Sequence, residues 1–87
     1  MKAFPLKISS PQGDLFCGDV VKISVRGTEG ELAIMAGHIP FVTSVKACEC
    51  KIELDNGKQR LGQTDGGILT VSSDKVVLLS GSFTRKD

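Results

Sequence analysis

Residues 48–58 constrain the fold more than any other stretch of this chain. Cys48, Cys50, Ile52 and Leu54 alternate with Glu49, Lys51 and Glu53, and Asp55-Asn56-Gly57-Lys58 follows. An apolar period of two is that of a strand with one buried face. Asn-Gly tolerates the two positive-φ positions of a tight hairpin turn, so a return strand is predicted from about Lys58 to Thr64. No segment sustains a 3.6-residue apolar period, so helices have no obvious face to bury.

The rest of the chain follows the same pattern. Phe4, Leu6 and Ile8 alternate with Pro5, Lys7 and Ser9, a first strand. Residues 9–14, Ser-Ser-Pro-Gln-Gly-Asp, form a turn by composition. Leu15-Phe16-Cys17 is a short apolar piece closed by Gly18-Asp19. Val21, Ile23 and Val25 then alternate with Lys22, Ser24 and Arg26 as a second strand. Leu32 to Ile34 and Phe41 to Lys46 are predicted as short strands. Gly66-Gly67 punctuates the chain before Ile68 to Val71, a turn at Ser72-Ser73-Asp74, and a strand from Val76 to Leu79. Val76-Val77-Leu78-Leu79 is apolar on both faces, which predicts a central strand or one covered on its second side. The fold class expected is all-β, a small β-sandwich or flattened barrel of short, mostly antiparallel strands.

Between Gly27 and Thr43, three glycines and Pro40 shape a stretch that holds Glu29, Glu31 and the only histidine, His38. Glycine permits backbone angles that other residues resist, and Pro40 biases His38-Ile39 toward extended conformations. A shaped feature on a β scaffold is a common place for function.

At 87 residues the chain is read as one domain. A scattered net charge of +1 offers no electrostatic case for nucleic acid or an anionic membrane surface. Without Trp or Tyr, base-stacking platforms have little to be built from. No apolar run reaches membrane-spanning length, and the N-terminus leads into alternating sequence with no signal-peptide apolar region. Three cysteines, an odd number without an export signal, are read as reduced thiols.

The search for catalysis is mostly negative, and no cofactor is implied. Gly57-Lys58 lacks the upstream glycine of a phosphate loop, since Ile52 stands there, and Gly-x-Gly-x-x-Gly is absent. A histidine-based triad would have to use His38, yet Thr43 and Ser44 nearby show no nucleophile elbow. Glu29 and Glu31 are read as a solvated loop or contact surface rather than an acid/base pair. Cys17, Cys48, Cys50 and His38 could supply zinc ligands, but Cys-x-Cys here follows strand alternation, as two small core residues would. No metal is therefore expected. Ser73-Asp74-Lys75-Val76 resembles the lysine-bearing turn of lipoyl carrier domains. An alternative function, a carrier modified at Lys75, stands beside a plain Asx-type hairpin turn.

A second resemblance covers about residues 4 to 83. Residues 11–18, Pro-Gln-Gly-Asp-Leu-Phe-Cys-Gly, are similar to the Pro-x-Gly-x-x-Phe-x-Gly segment of the epsilon subunit of F-type ATP synthase. Gly27-Thr28-Glu29-Gly30-Glu31-Leu32 and Gly37-His38-Ile39-Pro40 resemble that family's most characteristic stretch. Residues 65–71 and 74–79 resemble its closing hairpin. The four segments are collinear. The family often has Leu-Gly-Ile-Leu-Pro-Gly-His where this chain has residues 32–38, Leu-Ala-Ile-Met-Ala-Gly-His.

The resemblance implies an N-terminal β-sandwich domain spanning residues 1–87 and a non-catalytic role in the central rotor. It implies that the domain docks the gamma subunit to the membrane c-ring and helps couple ion flow to ATP synthesis. The chain would then lie peripherally on the cytoplasmic face of a bacterial inner membrane. By the same resemblance, Glu29, Gly30 and Glu31 would face the c-ring, and Ser10, His38, Ile39, Phe41 and Thr43 the gamma subunit. The family's β-sandwich is followed by a C-terminal helical hairpin. The four residues after Phe83 cannot form two antiparallel helices. The expectation is therefore a polypeptide that neither inhibits hydrolysis through a hairpin nor binds ATP.

Overall fold

The computed structural model describes residues 3–27, 30–37 and 39–86. Seven strands run in the order β1 (Phe4–Ser10), β2 (Gly13–Gly27), β3 (Gly30–Met35), β4 (Phe41–Leu54), β5 (Gln59–Val71), β6 (Val76–Ser80) and β7 (Phe83–Arg85). No helix occurs among the described residues. The neighbour order β1-β6-β5-β4-β2 closes on itself because β1 also pairs with β2. The result is a five-strand closed barrel, flattened into a sandwich. β3 lies beside the second half of β2, and β7 beside the first half of β5. All pairings are antiparallel except β1 with β6, which is parallel. The all-β expectation therefore holds.

Alternation decides the core. Leu6, Ile8, Ile23, Ile52, Leu69 and Leu78 are fully buried, and burying each such side chain is worth about 1.5–3 kcal/mol. Cys50 and Ile52 lie inside while Glu49 and Lys51 lie outside, as the sequence pattern requires.

Strand length departs from expectation. The pieces read as separate short strands are three long strands that bend. Val20 pairs with Leu54 and Lys22 with Glu53, so Val21 is an extra residue in β2. Such a bulge shifts the side-chain phase by one, and Val20 and Val21 are consequently both buried. In β5 the bend falls at Gly66-Gly67. Gly66 has φ +107°, and a Cβ on it would stand 2.8 Å from the Val45 carbonyl oxygen. A Cβ on Gly67 would overlap the Leu79 carbonyl. The glycines read as a break are thus the place where a continuous strand turns under close backbone neighbours.

Two further expectations are corrected. At the β4–β5 hairpin only Gly57 takes positive φ, at +85°; Asn56 does not. The Gly57 N–H donates to the Leu54 carbonyl at 3.1 Å, and Asn56 Oδ1 accepts the Lys58 N–H at 3.0 Å. The asparagine therefore serves as a side-chain acceptor, not as a second left-handed residue. The strand from Val76 to Leu79 is also not the last: Phe83–Arg85 pairs with Gly62–Thr64. Phe83 lies directly over Gly62, where a Cβ would overlap its ring.

Candidate functional site

The four-strand face β1-β6-β5-β4 carries its core on one side and an uncovered apolar stripe on the other. Register aligns Ser9, Leu79, Ile68 and Ser44 in one outward row, and Lys7, Val77, Thr70 and Val42 in the next. Leu78 and Leu69, one residue away, are fully buried on the inner side. Leu79 is 51%, Ile68 48% and Val42 66% exposed, with Val77 half-buried between them. β6 is indeed flanked by two strands, as its apolar run predicted, but none of the described residues covers its second face. Thr70 separates Val77 from Val42, and Lys7, Ser9 and Ser44 stand at the ends of the rows; apolar surface with a polar rim of this kind is a candidate interaction surface. Sequence reasoning did not name these residues. Its signal was the doubly apolar run at Val76 to Leu79, repeated on β5 at Ile68-Leu69.

A second feature lies where the β2–β3 hairpin meets the start of β4. Gly27, Gly30, Glu31, Leu32, Phe41, Val42 and Thr43 line one hollow. Gly30 adopts φ +126°, which allows the tight return from β2 to β3. The Glu31 carboxylate meets the Arg26 guanidinium at 3.3 Å, both side chains well exposed. The expected c-ring residues Gly30 and Glu31 thus adjoin two of the expected gamma residues, Phe41 and Thr43. Ile39 stands just outside the hollow, 80% exposed. Ser10 lies apart, on β1, which does not pair with β4, and its hydroxyl donates to Gln12 Oε1 at 2.9 Å and accepts the Gln12 N–H at 3.2 Å. Glu29 and His38 lie outside the described residues.

The cysteines separate. Cys17 is exposed on β2 opposite Lys7, whereas Cys48 and Cys50 sit on β4. Among the described residues, no three His, Cys, Asp or Glu side chains group as a metal site would require. Cys50 fills core volume, and burial, reinforced by the neighbouring Cys48 thiol, pushes its own thiol up to about 12. Cys48 has another task. β4 leaves the β2 ladder between Lys51 and Val45, and the Arg26 N–H donates to Cys48 Sγ at 3.3 Å in place of a strand carbonyl. Lys75 is exposed beside the β5–β6 turn, closed by the Ser72 N–H donating to the Lys75 carbonyl at 2.8 Å.

The arrangement presents surfaces. Comparison with known proteins identifies the family. Residues 3–86 match the family described as the ATP synthase, Delta/Epsilon chain, beta-sandwich domain. A sodium-ion-specific ATP synthase epsilon chain from Acetobacterium woodii is 37% identical over 79 residues, which is 91% of this chain and 59% of that protein. The chain thus spans about three-fifths of that relative's length. A chain of the Euglena gracilis mitochondrial ATP synthase OSCP/F1/c-ring structure superposes with a TM-score of 0.90 at 21% identity, covering 95% of this chain and 53% of that one. A chain of the Tetrahymena thermophila mitochondrial ATP synthase central stalk and c-ring gives 0.79 at 15% identity, covering 94% and 66%. At those identities the two structures establish the fold alone, whereas the match over nearly all of the sequence establishes kinship: the chain belongs to the β-sandwich domain family of ATP synthase delta/epsilon chains.

Proposed function

We propose that the domain, spanning residues 1–87 as a single N-terminal β-sandwich, is a non-catalytic rotor element of an F-type ATP synthase. It docks the gamma subunit onto the c-ring and so helps couple ion translocation to ATP synthesis. Its place is peripheral, on the cytoplasmic face of a bacterial inner membrane, held there by its partners. The observation that carries this reading is the outward apolar stripe of Val42, Ile68 and Leu79 on a fold shared with epsilon chains. We assign the stripe, with the neighbouring Ile39, Phe41 and Thr43, to gamma. Ser10 and His38 join that surface by resemblance alone. Glu29, Gly30 and Glu31 are assigned to the c-ring. The lipoyl alternative at Lys75 finds no support beyond an exposed turn.

Capture of purified gamma subunit by the immobilised chain tests the assignment. An Ile or Leu that is buried on binding contributes about 1.5–3 kcal/mol, so Ile68→Asp with Leu79→Asp should weaken capture by roughly two orders of magnitude. Both side chains are half-exposed, so the melting temperature should stay close to that of the parent. Parental capture by the double variant would remove the stripe from the interface. A lipoyl mass increment on Lys75 without gamma capture would overturn the rotor reading itself.

A further inference from the structure

Two thiols lie together on β4 and take no part in either surface above. Cys48 and Cys50 stand two positions apart on a strand that pairs with β5 from Phe41 to Glu53 without a register shift. Their side chains therefore point to the same side. Cys50 is fully buried, and Cys48, half-buried, packs against the same core. The Cys50 thiol hydrogen-bonds the Cys48 sulfur, and the Arg26 N–H donates to that sulfur at 3.3 Å. Cys48 also has an approach from outside. Between the pairs Ser24–Lys51 and Gly27–Val45, β4 arches away from β2. The arch opens a groove whose walls include Val25, Leu32, Ala47 and Cys48. Same-face neighbours on an extended strand are about 6.6–6.8 Å apart. A disulfide needs Cβ atoms about 3.5–4.5 Å apart, so this pair does not suit a direct sulfur–sulfur bond. It suits an atom held between the sulfurs.

We propose that Cys48 and Cys50 bind one soft monovalent metal ion of the Cu(I) type, as a two-coordinate sulfur–metal–sulfur bridge. Thiolates select Cu(I), zinc and iron–sulfur clusters. Structural zinc and the clusters take four protein ligands. Among the described residues, no third His, Cys, Asp or Glu groups with these two. Cu(I) is satisfied by two thiolates in line. Each thiol loses its proton to solvent, two sulfur–metal bonds form, and no oxidation state changes. The ion enters from the groove at Cys48, and Cys50 completes the pair from the core side. The Arg26 N–H, already on the Cys48 sulfur, offsets part of the negative charge of the two thiolates. Burial holds the Cys50 proton tightly, so only an ion with high thiolate affinity displaces it. The inference is independent of the rotor assignment, because neither thiol belongs to the surfaces given to gamma and the c-ring.

Anaerobic titration with Cu(I), against a chromogenic Cu(I) chelator as competitor, tests this on the parent and on Cys17→Ser. Both should retain a single ion per chain, with two sulfur neighbours by X-ray absorption and a shifted Arg26 amide resonance. Cys48→Ser should weaken retention by roughly a hundredfold or more, because the remaining thiol has lost a partner held at high effective concentration. Cys48 is half-buried, so this variant should keep the dispersed spectrum of the parent. If it does not, the parent alone decides: an unmoved Arg26 amide, or a single sulfur neighbour, would overturn the proposal. Unchanged retention by Cys48→Ser or loss of the ion from Cys17→Ser would do the same. So would tighter binding of zinc than of Cu(I), which demands further ligands, or an ion shared between two chains by sedimentation.

Discussion

Thr64 Oγ1 lies 2.6 Å from Ser80 Oγ, and these two are the buried polar side chains among the described residues. Their hydroxyls form one directed chain. Thr64 accepts the Gly66 N–H at 3.1 Å and donates to Ser80, and Ser80 donates onward to the Ser82 carbonyl or to Asp65 Oδ1. Every group is thus satisfied at the point where β5 passes from β7 to β6. Thr64→Val keeps the shape and removes the acceptor that Gly66 needs. It should cost about 1–3 kcal/mol, read as a lower urea midpoint at unchanged slope. An unchanged midpoint would mean that water replaces the threonine.

Asp65 gives the same corner a pH dependence. The Ser82 N–H donates to its Oδ1 at 3.0 Å, and this bond, helped by the Ser80 hydroxyl, holds the carboxyl below the ordinary 3.8. A depressed folded-state value means that the unfolded chain takes up the proton first as pH falls. The contribution is therefore complete above about pH 4 and disappears as pH falls through the lowered value. Asp65→Asn should flatten stability against pH below 4 relative to the parent and leave the shape of the profile near neutrality unchanged. A parallel acid limb in the variant would assign the effect to another carboxylate.

Two glycines should respond differently to one added methyl. Gly62→Ala meets the Phe83 ring, a half-buried side chain at the end of the sheet. Overpacking of this kind costs about 1–3 kcal/mol, and amide exchange should accelerate first along the β5–β7 pairing. Gly67→Ala meets the Leu79 backbone carbonyl, which cannot rotate away. That variant should lose the larger amount and disturb the β5–β6 pairing throughout. Equal losses would mean that β6 yields as readily as Phe83 does.

The cysteines should alkylate in the order of their exposure, Cys17 first, then Cys48, with Cys50 reacting only on unfolding. Because burial raises the Cys50 thiol from 9.0 to about 12, the folded state holds that proton more tightly than the unfolded chain does. The stability this contributes is complete below pH 9 and declines as pH rises from 9 toward 12. Cys50→Ala should remove that alkaline decline along with some core packing. Rapid alkylation of Cys50 in the native protein, followed by mass spectrometry, would contradict its buried position.

The sequence by itself determined that the chain is built of strands and turns and, for its alternating segments, which face turns inward. Cys50 and Ile52, and Leu6 and Ile8, are buried where alternation places them, because a period of two is a local property of the extended chain. A glycine-shaped turn before Leu32, and the kinship that its neighbouring segments carry, were likewise legible in the order of residues. What only the tertiary structure decided is how those strands meet. The parallel pairing of β1 with β6 closes the barrel between residues some seventy positions apart, and no local pattern encodes it. The bends at Val21 and Gly66-Gly67 join pieces that read as separate strands, since a bulge or a close carbonyl is defined by the partner strand. The outward stripe follows from the same cause. Ile68, Leu79 and Val42 are each ordinary in sequence, and cross-strand register alone sets them on one face that the described residues leave open.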